Sequence, residues 1–161
     1  MRLQVYTQNA YNVKRANQDV LKRICSIKKT RKHKTSDYLQ DYLQMIFGYL
    51  SEMAGGAEAD FRQKEAVMHA LGLLATHMAR SKDLQAGAMV TLEQFVSPEL
   101  TREDNAMLRA RAAWVYGEFS SFPYNSEAHN VNVLQALYAN LQCPELPLRV
   151  NAAIALVNHL D

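Results

Sequence analysis

Three segments of this chain begin the same way: Phe61-Arg62-Gln63-Lys64-Glu65-Ala66-Val67, Leu108-Arg109-Ala110-Arg111-Ala112-Ala113-Trp114 and Leu148-Arg149-Val150-Asn151-Ala152-Ala153-Ile154. Each sets an apolar residue before an arginine, a polar or basic residue two positions on, and small residues beyond. The arginines recur after 47 and then 40 residues, at 62, 109 and 149. A period of about 40–47 residues belongs to HEAT-type repeats, helix pairs that cannot bury their apolar faces alone and must stack. This constraint predicts an all-α fold, a HEAT-repeat α-solenoid of about three helix pairs plus one N-terminal helix.

The segments between the arginine-marked helices supply the first helix of each pair. Residues 37–53 carry Leu39, Tyr42, Leu43, Ile46, Tyr49, Leu50 and Met53 in steps of three and four, one apolar stripe. Gly55-Gly56 then reads as a helix stop. The helix expected over 61–78 answers with Val67, Ala70, Leu71, Leu74 and Met78. A second pair is expected from about 84 to 96 and from 105 to 119, separated by Ser97-Pro98 and a capping-type Thr101-x-x-Asp104. A third runs from about 130 to 142, with Leu134, Leu137, Tyr138 and Leu141, and from 148 to 160 beyond Pro144 and Pro147. The repeats thus fall at about 37–78, 84–119 and 130–160, and 11–27 reads as a helix left over from a preceding pair. Ala66, Ala112, Ala113, Ala152 and Ala153 are the small residues that let helix backbones approach. The last helix runs to the final residue with no polar capping helix after it, so the expected object is a piece of a longer array.

Composition narrows the function. Eighteen Lys and Arg against sixteen Asp and Glu leave a net charge of +2, too small for bulk charge to imply nucleic-acid binding. No apolar run approaches the roughly 20 residues of a membrane span, and Met1 to Gln8 lacks the apolar core of a secretory signal. The chain is expected in the cytosol or nucleus, with Cys25 and Cys143 as reduced, structural thiols, since no CxxC or CxxH spacing surrounds them. The histidines at 33, 69, 77, 129 and 159 form no HExxH pair, and neither a phosphate-binding glycine loop nor a nucleophile elbow occurs. No catalytic, metal or cofactor residues are therefore assigned.

Three features remain. The run Lys28-Lys29-Thr30-Arg31-Lys32-His33-Lys34 is either a solvated loop or a contact for an anionic partner; it lacks the interleaved aromatics that stack on bases. Trp114, the one tryptophan, is either a buried ring between helix layers or a partner-facing anchor. Arg62, Arg109 and Arg149 are expected to form a ladder that fixes the register of the stack, with partner contact as their second role.

Four ordered blocks carry a family resemblance: Lys29-Thr30-Arg31-Lys32-His33-Lys34-Thr35, Asp60 to Ala66, Leu108 to Val115, and Pro144 to Val150 with Ala152 and Ala153. Across residues 28–157 the chain resembles the central HEAT repeats of importin-β superfamily (karyopherin) nuclear transport receptors, closest to the large importins of the seven/eight branch. The resemblance implies a receptor that carries cargo proteins through nuclear pores under control of the GTPase Ran. It implies cargo, Ran and nuclear pore proteins as partners, neither membrane nor direct nucleic acid, and a location in cytoplasm and nucleus, including the nuclear envelope. Second helices line the inner face in this family, which makes Arg111, Glu118 and Asn151 candidate partner contacts beside Trp114, Lys32 and Lys34. The chain lacks the N-terminal repeats that hold the family's main Ran contact and the long acidic insertions found elsewhere in the branch. Two other readings compete: a HEAT scaffold of another complex with no link to Ran, and a nucleic-acid module whose affinity falls with salt and is lost when Lys32 and Lys34 are neutralised.

Overall fold

The computed structural model describes residues 13–27, 36–54 and 60–160. Gly55-Gly56 and the basic run, with Lys32 and Lys34, lie outside the described residues, as do residues 11 and 12 of the expected first helix. In chain order the elements are α1 (Val13–Ser26), α2 (Asp37–Ala54), α3 (Phe61–Leu73), α4 (Ala75–Met78), α5 (Lys82–Thr91), a π-helical turn (Leu92–Val96), α6 (Ser97–Leu100), α7 (Ala106–Glu118), α8 (Glu127–Asn140) and α9 (Leu146–Leu160). No strand occurs among the described residues.

The helices form the two layers of a HEAT stack. One layer holds α2, the α5–π–α6 run and α8; the other holds α3, α7 and α9, with α3 against α7 and α7 against α9 in the closest packing of the molecule. Each second helix also folds back on its own first helix, and α1 leans on α2. The core lies between the layers, from Leu39, Leu43, Ile46 and Leu50 through Met68, Leu71, Leu92 and Val96 to Val115, Leu137 and Ala152. Tyr49 and Tyr138, placed on core stripes by their spacing, are 48% and 66% exposed. They stand at the stripe edges, where a tyrosine ring can rest on apolar neighbours while its hydroxyl stays wet.

Local chemistry explains where each helix starts and bends. Asp60 Oδ1 accepts the Arg62 N–H at 3.0 Å and caps α3. Asn105 Oδ1 accepts the N–H groups of Met107 and Leu108, both at 3.1 Å, so Asn105 caps α7 and the expected Thr101-x-x-Asp104 box does not form. Asp104 instead receives Arg102 Nε at 2.6 Å. Ser126 caps α8, and Pro147 sits in the first turn of α9, where a missing N–H costs nothing. The break expected at Ser97-Pro98 is a kink: Pro98 withdraws an N–H from the Gln94 carbonyl, the preceding turn widens so that Ser97 N–H bonds to Leu92 O, and the helix resumes as α6. The helix expected over 61–78 is likewise interrupted at Leu74, whose N–H bonds three residues back to Leu71 O.

Two buried polar clasps join successive repeats. Lys64 Nζ on α3 reaches Glu99 on α6 at 2.5 Å; the Glu99 side chain is nearly enclosed and also takes Arg102 at 3.1 Å. Arg109 on α7 donates to Asn140 Oδ1 at the end of α8 (Nη2 2.6 Å, Nε 3.1 Å), while Asn140 Nδ2 donates to Leu100 O at 3.1 Å. Asn140 is fully buried, so Arg109 supplies the donor its carboxamide oxygen needs.

Helix geometry fixes the register of these cations. Lys64, Arg109 and Arg149 each hand their own N–H to the residue that opens the helix, Asp60, Asn105 and Glu145, at 3.3, 3.1 and 3.2 Å. The rung in the first repeat is therefore Lys64, not Arg62. Because α3 starts after Asp60, Arg62 falls two positions early, exposed, with its guanidinium 5.8 Å from the Phe61 ring centroid. Arg149 is exposed and donates to Cys143 O at 3.4 Å in the turn before its own helix.

Close backbone approach completes the stack. A methyl on Gly117 would lie 3.1 Å from the Ala155 backbone of α9, and one on Gly72 would overlap the Trp114 ring of α7. Ala112, Ala113 and Ala152 are buried at the same interfaces, whereas Ala66 and Ala153 are exposed.

In urea unfolding, Lys64→Ala should cost about 1–3 kcal/mol by removing a partner of a buried carboxylate. Arg62→Ala should stay within about 0.5 kcal/mol; equal losses for the two would refute the register. Gly72→Val should cost about 1–3 kcal/mol through overpacking and shift the Trp114 emission to the red. Gly48→Ala, with open space around the new methyl, should gain up to about 1 kcal/mol from helix propensity.

A candidate partner-binding face

The layer of second helices carries a continuous row of polar and aromatic side chains. Arg111 on α7 and Glu65 on α3 stand 46 positions apart, one repeat, and meet with Nε at 2.7 Å from Oε1. Both side chains are about one-fifth exposed, so the pair is partly shielded and more valuable than a surface ion pair. The Arg111 guanidinium also lies 4.8 Å from the Trp114 ring centroid. The edge of that ring meets His69 of α3 at 5.2 Å and 72°, and Gln18 of α1 reaches His69 at 3.2 Å. Trp114 is half-buried, resting on Gly72, so it serves as helix packing and as surface at once.

Two grooves flank this row. One, of about 410 Å³, crosses the N-terminal halves of α3, α7 and α9 and is lined by Glu65, Met107, Ala110, Arg111, Leu148 and Asn151. Its floor is apolar, Met107 is 57% exposed, and Asn151 Nδ2 is anchored on Pro147 O at 2.9 Å. The other, of about 510 Å³, lies between α1, α2 and α3, with Gln18, Tyr42, His69 and Leu73 among its lining residues. Glu118 follows Trp114 by one turn and is exposed at its tip; crowding by the neighbouring helices lifts its carboxyl above the ordinary carboxylate range, and the Lys22 ammonium on α1 partly offsets this.

Of the residues singled out in the sequence, Arg111, Trp114 and Glu118 share one stripe of α7, and Asn151 joins Arg111 at the groove. Arg62, Arg109 and Arg149 stand apart from this row. Glu65, His69 and Met107 escaped the sequence reading. The signal for Glu65 was an acid and a base spaced by one repeat; His69 and Met107 offered none, because only helix stacking places them.

A second polar cluster spans the second and third repeats. Ser97 Oγ lies 2.6 Å from Tyr116 OH and 3.2 Å from His129 Nε2, and Tyr116 OH lies 3.0 Å from the same nitrogen. Glu93 Oε2 is 3.7 Å from His129 Nδ1, which has no hydrogen-bond partner. These are the residue types of a hydrolytic triad, but Ser97 Oγ is held by the Tyr116 hydroxyl, whose burial raises its pKa well above that of free tyrosine, and the Glu93 carboxylate stands too far to orient the imidazole. The cluster satisfies polar groups around the π-turn. Among the described residues no group of three or more His, Cys, Asp or Glu side chains converges as a metal site. No helix there is long and apolar enough to cross a membrane.

Comparison with known proteins returns importins. Importin-8 of Danio rerio is 28% identical over 118 residues, 73% of this chain and 11% of that protein. Importin-8 of Homo sapiens is 26% identical over 118 residues. The Importin beta-like SAD2 homolog of Arabidopsis thaliana is 23% identical over 154 residues, 96% of this chain and 14% of the relative. No protein-family profile matches the chain, and no solved structure gives a significant match. The chain spans about one-tenth of the length of the curated relatives it matches. Helix pairs stacked in two layers and clasped at one-repeat intervals agree with these relatives, and the chain is similar to importins over most of its length.

Proposed function

We propose that this chain is a segment of a nuclear transport receptor, with no catalytic role, whose α3–α7–α9 layer binds cargo proteins for import into the nucleus under Ran control. The row Glu65–Arg111–Trp114–His69, beside an apolar groove, is the observation that carries the reading. Partly exposed tryptophan and arginine are the side chains in which binding energy concentrates, and here both are pre-positioned by neighbours, which lowers the ordering cost of association. Similarity to importins supports the transport context of this reading: shuttling between cytoplasm and nucleus, passage past nuclear pore proteins, and discharge of cargo by GTP-loaded Ran. The part of that cycle read for these residues is the cargo contact, carried by the row on α3 and α7.

The test is capture of proteins from cytosol on the immobilised complete gene product, with and without GTP-locked Ran. A defined set released by Ran-GTP supports the reading; the same set retained regardless of Ran overturns it in favour of a static HEAT scaffold. The exchange Glu65→Arg with Arg111→Glu keeps an ion pair between α3 and α7 but removes the cation from Trp114. It should weaken cargo capture about tenfold or more while leaving the helical melt in place; unchanged capture would remove this row from the binding face. Trp114→Ala should lower stability by about 1–3 kcal/mol, less than the ~3–5 kcal/mol of a fully buried ring.

A further inference from the structure

Sulfur is distributed unevenly over this molecule. Of the seven methionines, Met68, Met78 and Met89 are fully buried and Met53 is half-buried, whereas Met45 and Met107 are 45% and 57% exposed; Met1 lies outside the described residues. Met45 stands on α2, in the layer of first helices. Met107 stands in the first turn of α7, where Asn105 Oδ1 accepts its N–H at 3.1 Å, and its side chain lines the 410 Å³ groove with Ala110, Arg111 and Leu148. Among the described residues it alone combines a solvent-exposed thioether with a place on the candidate binding face. A thioether is flexible, apolar and a weak acceptor, suited to cover apolar groups of different shapes.

We propose that Met107 is a modification site at which oxidation by a peroxide weakens partner binding in the groove, a switch that rests on the cargo-binding reading of this face. The sulfur lone pair attacks one peroxide oxygen; an S–O bond forms, the O–O bond breaks, and the departing oxygen leaves as water. Sulfur loses two electrons and the peroxide gains them. The sulfoxide oxygen accepts hydrogen bonds strongly, where the thioether accepted only weakly. In the free protein water satisfies that oxygen, because the side chain is more than half exposed. A partner group seated on the groove strips this water away, and an acceptor buried without a donor opposes binding. Arg111, the one cation lining the groove, is already committed to Glu65 and the Trp114 ring, and Asn151 Nδ2 to Pro147 O. The fold is spared, since Met107 already meets water and the core methionines are sealed from it. Methionine sulfoxide reductases with a thiol reductant return the thioether, so the change is reversible.

The test treats the immobilised complete gene product with dilute hydrogen peroxide. Two quantities are read: sulfoxide at each methionine by mass spectrometry, and the set of cytosolic proteins retained on the beads and released by GTP-locked Ran. Met107 and Met45 should oxidise well before Met68, Met78 and Met89, and retention should fall about tenfold in step with Met107. Dithiothreitol alone, which returns a sulfenate or disulfide at Cys143 to the thiol, should not restore retention; methionine sulfoxide reductase with the same thiol should. In Met107→Leu the ratio of retention after peroxide to retention before it should return to one, while Met45→Leu should leave the loss in place. Met107→Gln, which sets a permanent polar group in the groove, should lower retention without peroxide while the helical melt stays in place. A loss in Met107→Leu equal to that of the parent, recovery with dithiothreitol alone, or core methionines oxidised as fast as Met107 overturns the switch and leaves the transport reading standing. Absence of a Ran-released set before any oxidation overturns the transport reading and the switch together.

Discussion

The Leu100 carbonyl is the point on which the second and third repeats turn. It ends a first helix, where the last carbonyls have no partner within the helix, and it is enclosed by the next repeat. Asn140 Nδ2 satisfies it at 3.1 Å and Arg109 Nε approaches it at 3.3 Å, while Arg109 also caps the Asn140 oxygen. One buried helix end therefore commits an arginine on α7 and an asparagine on α8 to fixed positions, and α9 packs into the space they define. The Lys64–Glu99 clasp performs the same task one repeat earlier with charge instead of an amide.

The kink at Pro98 is what brings these helix ends into range. Without it, the α5 run would end near Val96, as its apolar spacing suggests, and Glu99 and Leu100 would belong to a loop. The π-turn extends the first helix by one turn and swings Glu93 and Ser97 toward α7 and α8. The cost is a set of polar groups brought into the interior, which Tyr116, His129 and Tyr124 surround. The Ser97–His129–Glu93 constellation is thus a by-product of helix geometry.

The candidate partner face depends on the same spacing. Because α3 and α7 lie side by side with Gly72 under Trp114, the indole is held flat enough for Arg111 to sit over it and for Glu65 to hold Arg111 from the neighbouring helix. Any binding surface gains from such fixed side chains, since less conformational freedom is lost on binding. On the proposed reading packing and recognition share the ring, which couples stability and binding at Trp114.

The all-α stack was legible in the chain by itself because period, stripe and small-residue pattern are local properties that survive without knowledge of the third dimension. Arg109 could be singled out for the same reason, and Arg111 through the face that the family resemblance gives to second helices. Helix phase was not legible: whether Arg62 or Lys64 is the rung depends on which residue caps α3, and before α7 the Thr101-x-x-Asp104 box that the spacing offers gives way to Asn105. The continuation through Ser97-Pro98 was hidden, since a proline reads as a stop unless the preceding turn can widen. Tertiary structure alone decided that Glu99 and Asn140 are the acceptors, that Trp114 rests on Gly72, and that Glu65 and His69 stand beside it. Those pairings join residues 31 to 46 positions apart, and stacked helices, with no local pattern to announce them, bring them within contact distance.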